Sequence, residues 1–145
     1  MSEVSPTSLE ASKIDVRLKL SALWIVNMFV FTYADYYKMF MPGEIAAMTS
    51  GRAEGTQLTQ SSLLLYAVIT ILPALMIFLS LALAPKVNRL LNIVVGVLYV
   101  GIGVLSLVGH TWAFWVFYCA LLVLLAALVV VYSWRWPTTA LHEKG

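Results

Sequence analysis

Tyr33-Ala34-Asp35-Tyr36-Tyr37-Lys38-Met39-Phe40-Met41-Pro42-Gly43-Glu44 closes a long apolar run, and its reading decides the fold. It places a carboxylate, three tyrosines and a lysine where a greasy helix meets water. Pro42 and Gly43 then stop the helix, because proline has no N–H to donate and glycine loses much conformational freedom in a helix. Behind this stretch, about 20 residues at 1.5 Å rise each cross a hydrocarbon core of ~30 Å. Span one therefore covers about residues 20–40. Asp15 suits the cap of a helix that starts at the interface with Arg17 and Lys19. Residues 1–14 are polar and aperiodic and read as a disordered cytoplasmic tail. They are not a secretory signal, since the apolar run after them is too long and lacks a small-residue cleavage site.

Ahead of the stretch, Glu44 to Met48 predicts one or two turns lying on the surface, ended by Gly51. The connection through Gln60 is the longest between spans. Span two covers residues 61–84, with Thr59 as N-cap. Pro73 lies mid-span and should kink the helix, and Thr70 one turn earlier can help satisfy the backbone. Residues 85–89 read as a tight turn, 90–109 as span three, His110-Thr111 as a second turn and 112–134 as span four. Arg135-Trp136-Pro137 ends it, and 137–145 is a short cytoplasmic tail. The fold class is all-α: a four-transmembrane-helix bundle, up-down-up-down, over residues 15–136. Short connections make neighbours antiparallel, so spans two, three and four should pack in sequence.

Composition agrees. Of 145 residues, 61% are hydrophobic and 11% charged, against about half and a quarter in soluble domains. The net charge of +2 is small and scattered, which argues against nucleic-acid binding. Lys13, Arg17, Lys19, Lys86, Arg89, Arg135 and Lys144 fall on one side of the expected topology, and Lys38 and Arg52 on the other. That bias puts both termini in the cytoplasm; the inner (plasma) membrane is the expected location. Trp24, Trp112, Trp115, Trp134 and Trp136 suit the aromatic belts. The single cysteine, Cys119, excludes an intrachain disulfide.

Span three carries the clearest pattern. Asn92, Gly96, Tyr99, Gly103, Ser106 and His110 follow one another in steps of four and three, which puts them on one stripe. Small and polar residues on a membrane helix face protein, because small side chains let backbones approach and polar ones find partners. Asn92, Gly96, Tyr99 and Gly103, with Thr70 and Pro73 of span two, are thus the expected helix-packing residues. Span one offers Ser21, Met28, Thr32 and Asp35, with Asn27 to one side. Span four is nearly all Leu, Val and Ala and is expected to be the most lipid-exposed, packed behind the others.

Chain direction brings Asp35, Tyr36, Tyr66, Ser106 and His110 to the outer end, where they are the candidate ligand-binding residues. Ionisable groups at membrane depth are functional candidates by default. A structural role for Asp35 is the simpler reading, since Lys38 at i+3 can pair with it. Asp35, Glu44 and His110 have no metal-ligand spacing. No nucleophile–base pair, phosphate loop or cofactor motif occurs, so no catalytic residue, metal or cofactor is expected and the reading leans away from an enzyme.

The Tyr-Ala-Asp motif closing span one, the Met-Pro-Gly-Glu-Ile after it and the Thr-Gln near the start of span two resemble a family of small uncharacterised bacterial four-span membrane proteins. More distantly the layout is similar to DoxX-like proteins. The resemblance implies a membrane location and this topology. Through some DoxX-type proteins it also implies a link to quinone-dependent sulfur oxidation. No catalytic residue carries over. Small multidrug transporters share four spans and an acid in span one, but the charge bias argues against their dual topology. The sequence thus supports an integral membrane protein with a small polar outer pocket for a small ligand, a lipid headgroup or a partner protein. The alternatives are a quinone-linked redox subunit and a homo-oligomeric transporter or channel. The expected partners are the lipid bilayer and a second copy or another membrane protein.

Overall fold

The computed structural model describes residues 14–53, 55–109 and 111–136. Nearly all of the expected tails, and His110, lie outside these residues. The elements are α1 (Val16–Lys38), α2 (Glu44–Thr49), β1 (Arg52–Ala53), β2 (Thr56–Gln57), α3 (Gln60–Ala82), α4 (Pro85–Leu105) and α5 (Ala113–Trp134). The architecture is an all-α four-helix bundle with a two-stranded hairpin in one connection. Four helices, α1, α3, α4 and α5, are long and apolar enough to cross a membrane.

Local chemistry sets the helix ends. Asp15 accepts a hydrogen bond from the Arg17 backbone N–H at 2.8 Å, and Thr59 with Ser62 forms a reciprocal capping box at the start of α3. Gly43 begins α2 at φ 87°, a left-handed conformation that favours glycine. Residues 85–89 are helical, and the turn before α4 is correspondingly shorter than expected. Pro85 lies in the first turn of α4, where its missing N–H costs nothing.

The bundle has two ends. One carries the chain ends of α1 and α5 and the α3–α4 turn; the other carries the connection between α1 and α3. α1 packs between α3 and α5, and α5 between α1 and α4, whereas α3 and α4 approach each other little. Spans two and three thus do not pair along their length. α5 is a central wall, not an outer one, and this corrects the expectation for span four. Its inward stripe is Trp115, Cys119, Leu122, Ala126, Val129 and Ser133, all buried. The steps of four and three match those of the stripe on α4, where Asn92, Gly96, Tyr99 and Gly103 are buried. The glycines set the spacing: a Cβ on Gly96 would stand 2.7 Å from Val130 Cγ2, and one on Gly103 2.7 Å from Val123 Cγ2.

At the terminal end, polar groups join three helices. Trp24 Nε1 donates to Asn92 Oδ1 at 2.7 Å, and Ser80 Oγ donates to the same oxygen at 3.2 Å. Asn92 Nδ2 donates to Asn88 Oδ1 at 2.6 Å, and Asn88 Nδ2 donates to the Ser80 carbonyl at 2.6 Å. All four residues are fully buried. Hydrocarbon offers no substitute partners, so buried polar groups here must satisfy each other. Trp24, expected in an aromatic belt, is a core residue instead, edge-on to Tyr99 with ring centroids 5.6 Å apart. Asn27 is also fully buried, on the same face as Leu20 and Trp24, so the inward face of α1 is rotated from the one expected.

Pro73 cannot donate to the Ile69 carbonyl one turn before it. The Tyr99 hydroxyl donates to that carbonyl from α4. Thr70, expected to help, instead donates to the Ala67 carbonyl at 3.1 Å. The orphaned acceptor is therefore satisfied from a neighbouring helix.

Candidate functional site

Pro73 divides α3 into two unlike halves. On the terminal side Pro73, Met76 and Ser80 are buried. On the other side no residue from 60 to 72 is buried, and the stripe that points at the bundle is open, with Leu63 54% and Tyr66 45% exposed. Between this half of α3 and the remaining helices lies a cavity of about 670 Å³. That is within the roughly 300–1,000 Å³ of typical ligand pockets.

The lining is graded along the bundle axis. The deep part is mainly apolar: Phe31 of α1, Ile69 of α3, Ile102 of α4, and Cys119 and Leu122 of α5. One to two turns nearer the connecting loop stand Asp35, Tyr36 and Lys38 of α1, Tyr66 of α3, Ser106 after α4 and Trp115 of α5. Met48, Ala53 and Leu58 of the loop complete the wall on that side. The loop holds its shape through the hairpin pairs Arg52–Gln57 and Ala53–Thr56 and a 2.7 Å bond from the Leu58 N–H to the Gly51 carbonyl. The Tyr99–Ile69 bridge lies at the deep end, beside the lining residue Ile69.

Two charged groups reach the cavity by different means. Lys38 is only 8% exposed, and its Nζ lies 5.0 Å from the centre of the Trp115 ring, a cation–π distance. The Trp115 indole N–H in turn donates to the Ser106 carbonyl at 2.8 Å, which fixes the ring. Asp35 sits one turn before Lys38 on an exposed part of α1.

The residues named from the sequence are distributed as follows. Asp35, Tyr36, Tyr66 and Ser106 line this cavity, and His110 lies outside the described residues. Thr70 lines the cavity as well; it is exposed, not packed. Pro73, Asn92, Gly96, Tyr99 and Gly103 are buried between helices. Glu44 is not part of the lining. Sequence reasoning did not single out Lys38, Trp115 and the apolar lining residues as pocket residues. Lys38 and Trp115 were legible by depth, whereas Met48, Ala53 and Leu58 carry no distinguishing signal. No group of three or more His, Cys, Asp or Glu among the described residues could hold a metal ion.

Four membrane-length helices around a ligand-sized chamber define a small multi-pass membrane protein. The chain belongs to a family of unknown function, DUF6326, whose model matches residues 11–142. No curated protein and no solved structure matches the chain.

Proposed function

We propose that the protein is a non-enzymatic binding protein of the inner (plasma) membrane, with both termini cytoplasmic and the cavity near the outer face. The observation that carries this reading is the joint lining of one ligand-sized cavity by Asp35, Tyr36, Tyr66 and Ser106. A mainly apolar chamber with a few convergent polar groups is the usual form of a small-molecule site. The distribution of lysine and arginine supports the orientation. The quinone-linked reading rests on the DoxX-like resemblance alone, and the family match adds nothing to it.

Native mass spectrometry of the protein purified in mild detergent tests the reading. A bound small molecule is expected on the wild type, reduced in Asp35→Asn and in Tyr66→Phe while both variants keep wild-type unfolding midpoints. Unchanged binding in both variants would count against this pocket. Reporter fusions after residue 145 and within the 50–56 loop are expected to report opposite sides of the membrane.

A further inference from the structure

We propose that the terminal end of the bundle seats an anionic phospholipid, its phosphodiester held by Lys86, Arg89 and Arg135 where the start of α4 meets the end of α5. The seat lies at the opposite end from the cavity and does not depend on the binding-pocket reading.

The charges at this end are one-sided. Among the described residues it carries Arg17, Lys19, Lys86, Arg89 and Arg135, and Asp15 is its one carboxylate. Asp15 is used locally, as the cap that accepts from the Arg17 backbone N–H. Two of the cations are fixed against the last turn of α5. Arg89 Nη2 donates to the Trp134 carbonyl at 3.1 Å, and Lys19 Nζ lies 5.6 Å from the centre of the Tyr132 ring, a cation–π distance. Neither contact cancels the charge, since a carbonyl and a ring face carry none. Arg89 keeps further donors for a phosphate, because a guanidinium has five N–H groups in a planar fork. Lys86 stands three residues before Arg89, on the same side of α4, and is exposed. Arg135 ends α5 directly after Trp134 and is exposed as well.

A helix C-terminus carries about half a negative charge, which by itself repels an anion. Here the Arg89 bond covers a carbonyl at that terminus, and Lys86 and Arg135 add their full positive charges. The sum favours an anion.

The lipid half of the ligand follows from what lies one turn deeper. Leu90 is four residues on from Lys86, and Val131 four before Arg135, so each sits below its cation on the same helix side. Both are exposed, and so is Trp134 between them in depth. Tryptophan suits that level, with an apolar ring and one N–H donor. A phospholipid meets the cations with its head and this flank with its chains; a soluble phosphate meets the cations alone.

The test is native mass spectrometry of the whole protein in mild detergent, titrated with phosphatidylglycerol and with phosphatidylcholine of the same acyl chains. Phosphatidylglycerol is expected to bind about tenfold more tightly or better. Lys86→Gln and Arg135→Gln should each weaken it about fivefold, the worth of one cation at a headgroup, with unfolding midpoints unchanged. Arg17→Gln is the control. It removes the same charge from the same end, but Arg17 lies two residues from Lys19, about 200° round α1. Binding there should change less than about twofold. Glycerol phosphate, which has the anion without the chains, should not compete. Equal affinity for the two lipids would overturn the seat. A loss in Arg17→Gln as large as in Lys86→Gln would overturn it too, by making the attraction diffuse. Displacement by glycerol phosphate would overturn the lipid as ligand in favour of a soluble anion.

Discussion

The two halves of α3 are both mainly apolar and have opposite surroundings. From Pro73 onward the helix is locked into the core through Met76 and Ser80, and Ser21 of α1 donates to the Ile77 carbonyl at 3.0 Å. Before Pro73 none of its residues is buried, and it walls a cavity. Apolar surface alone does not bind helices together where lipid is equally apolar. What differs is the supply of interlocking shapes and hydrogen-bond partners. At the terminal end Trp24, Asn88, Asn92 and Ser80 tie α3 to α1 and α4; at the loop end the Trp115 bond to the Ser106 carbonyl ties α5 to the end of α4. The contrast teaches that the packed core and the open cavity are separated along the bundle axis.

If that separation is real, substitutions should fall into an order set by position. Trp24→Ala should be the most damaging. It removes the largest fully buried side chain and leaves Asn92 short of a donor, at a cost of about 3–5 kcal/mol. SDS titration in mixed micelles would measure it, and a loss below that of a surface substitution would break the contrast. Gly96→Ala and Gly103→Ala should come next, at about 1–3 kcal/mol each, because the added Cβ meets Val130 or Val123 at 2.7 Å. Gly101→Ala is the control: nothing lies within 4 Å of its Cβ position, so stability should hold or rise slightly.

Tyr99→Phe should cost about 1 kcal/mol by leaving the Ile69 carbonyl unmet. Pro73→Ala restores an N–H for that carbonyl, so in the double variant the cost of Tyr99→Phe should shrink toward zero. A double-mutant cycle that instead shows independent effects would separate the hydroxyl from the proline. Smallest of all, Leu63→Ala should change stability by no more than about 0.5 kcal/mol, as expected of a side chain with few packing neighbours. A larger loss would mean that the outer half of α3 is held by something beyond the described bundle, such as a second copy.

Much of this was legible in the sequence, and the exceptions share a physical cause. Span count, helix caps at Asp15 and Thr59, and the inward stripe of α4 were readable because polarity and glycine interrupt an apolar background. α5 was misjudged because its background is uniformly apolar. There the signal is size: Cys119, Ala126 and Ser133 recur every seven residues, and small side chains mark the packed face as surely as polar ones. Trp24 was misplaced because tryptophan serves both interfaces and cores, and only its partner Asn92, far away in sequence, decides between them. For the cavity, depth-matching named Asp35, Tyr36, Tyr66 and Ser106 together. It could not foresee that the first half of α3 would stay unburied and stand apart from α4, because that follows from contacts absent in three dimensions.

The position of α5 also bears on how the molecule is made. It follows α1, α3 and α4 off the ribosome, yet it supplies a wall to both α1 and α4. Until it arrives, the glycine notches of α4 face lipid, and α1 has only α3 to lean on. Consolidation therefore waits for α5, and a nascent chain arrested near residue 110 should be far more open to membrane proteases than one that includes α5.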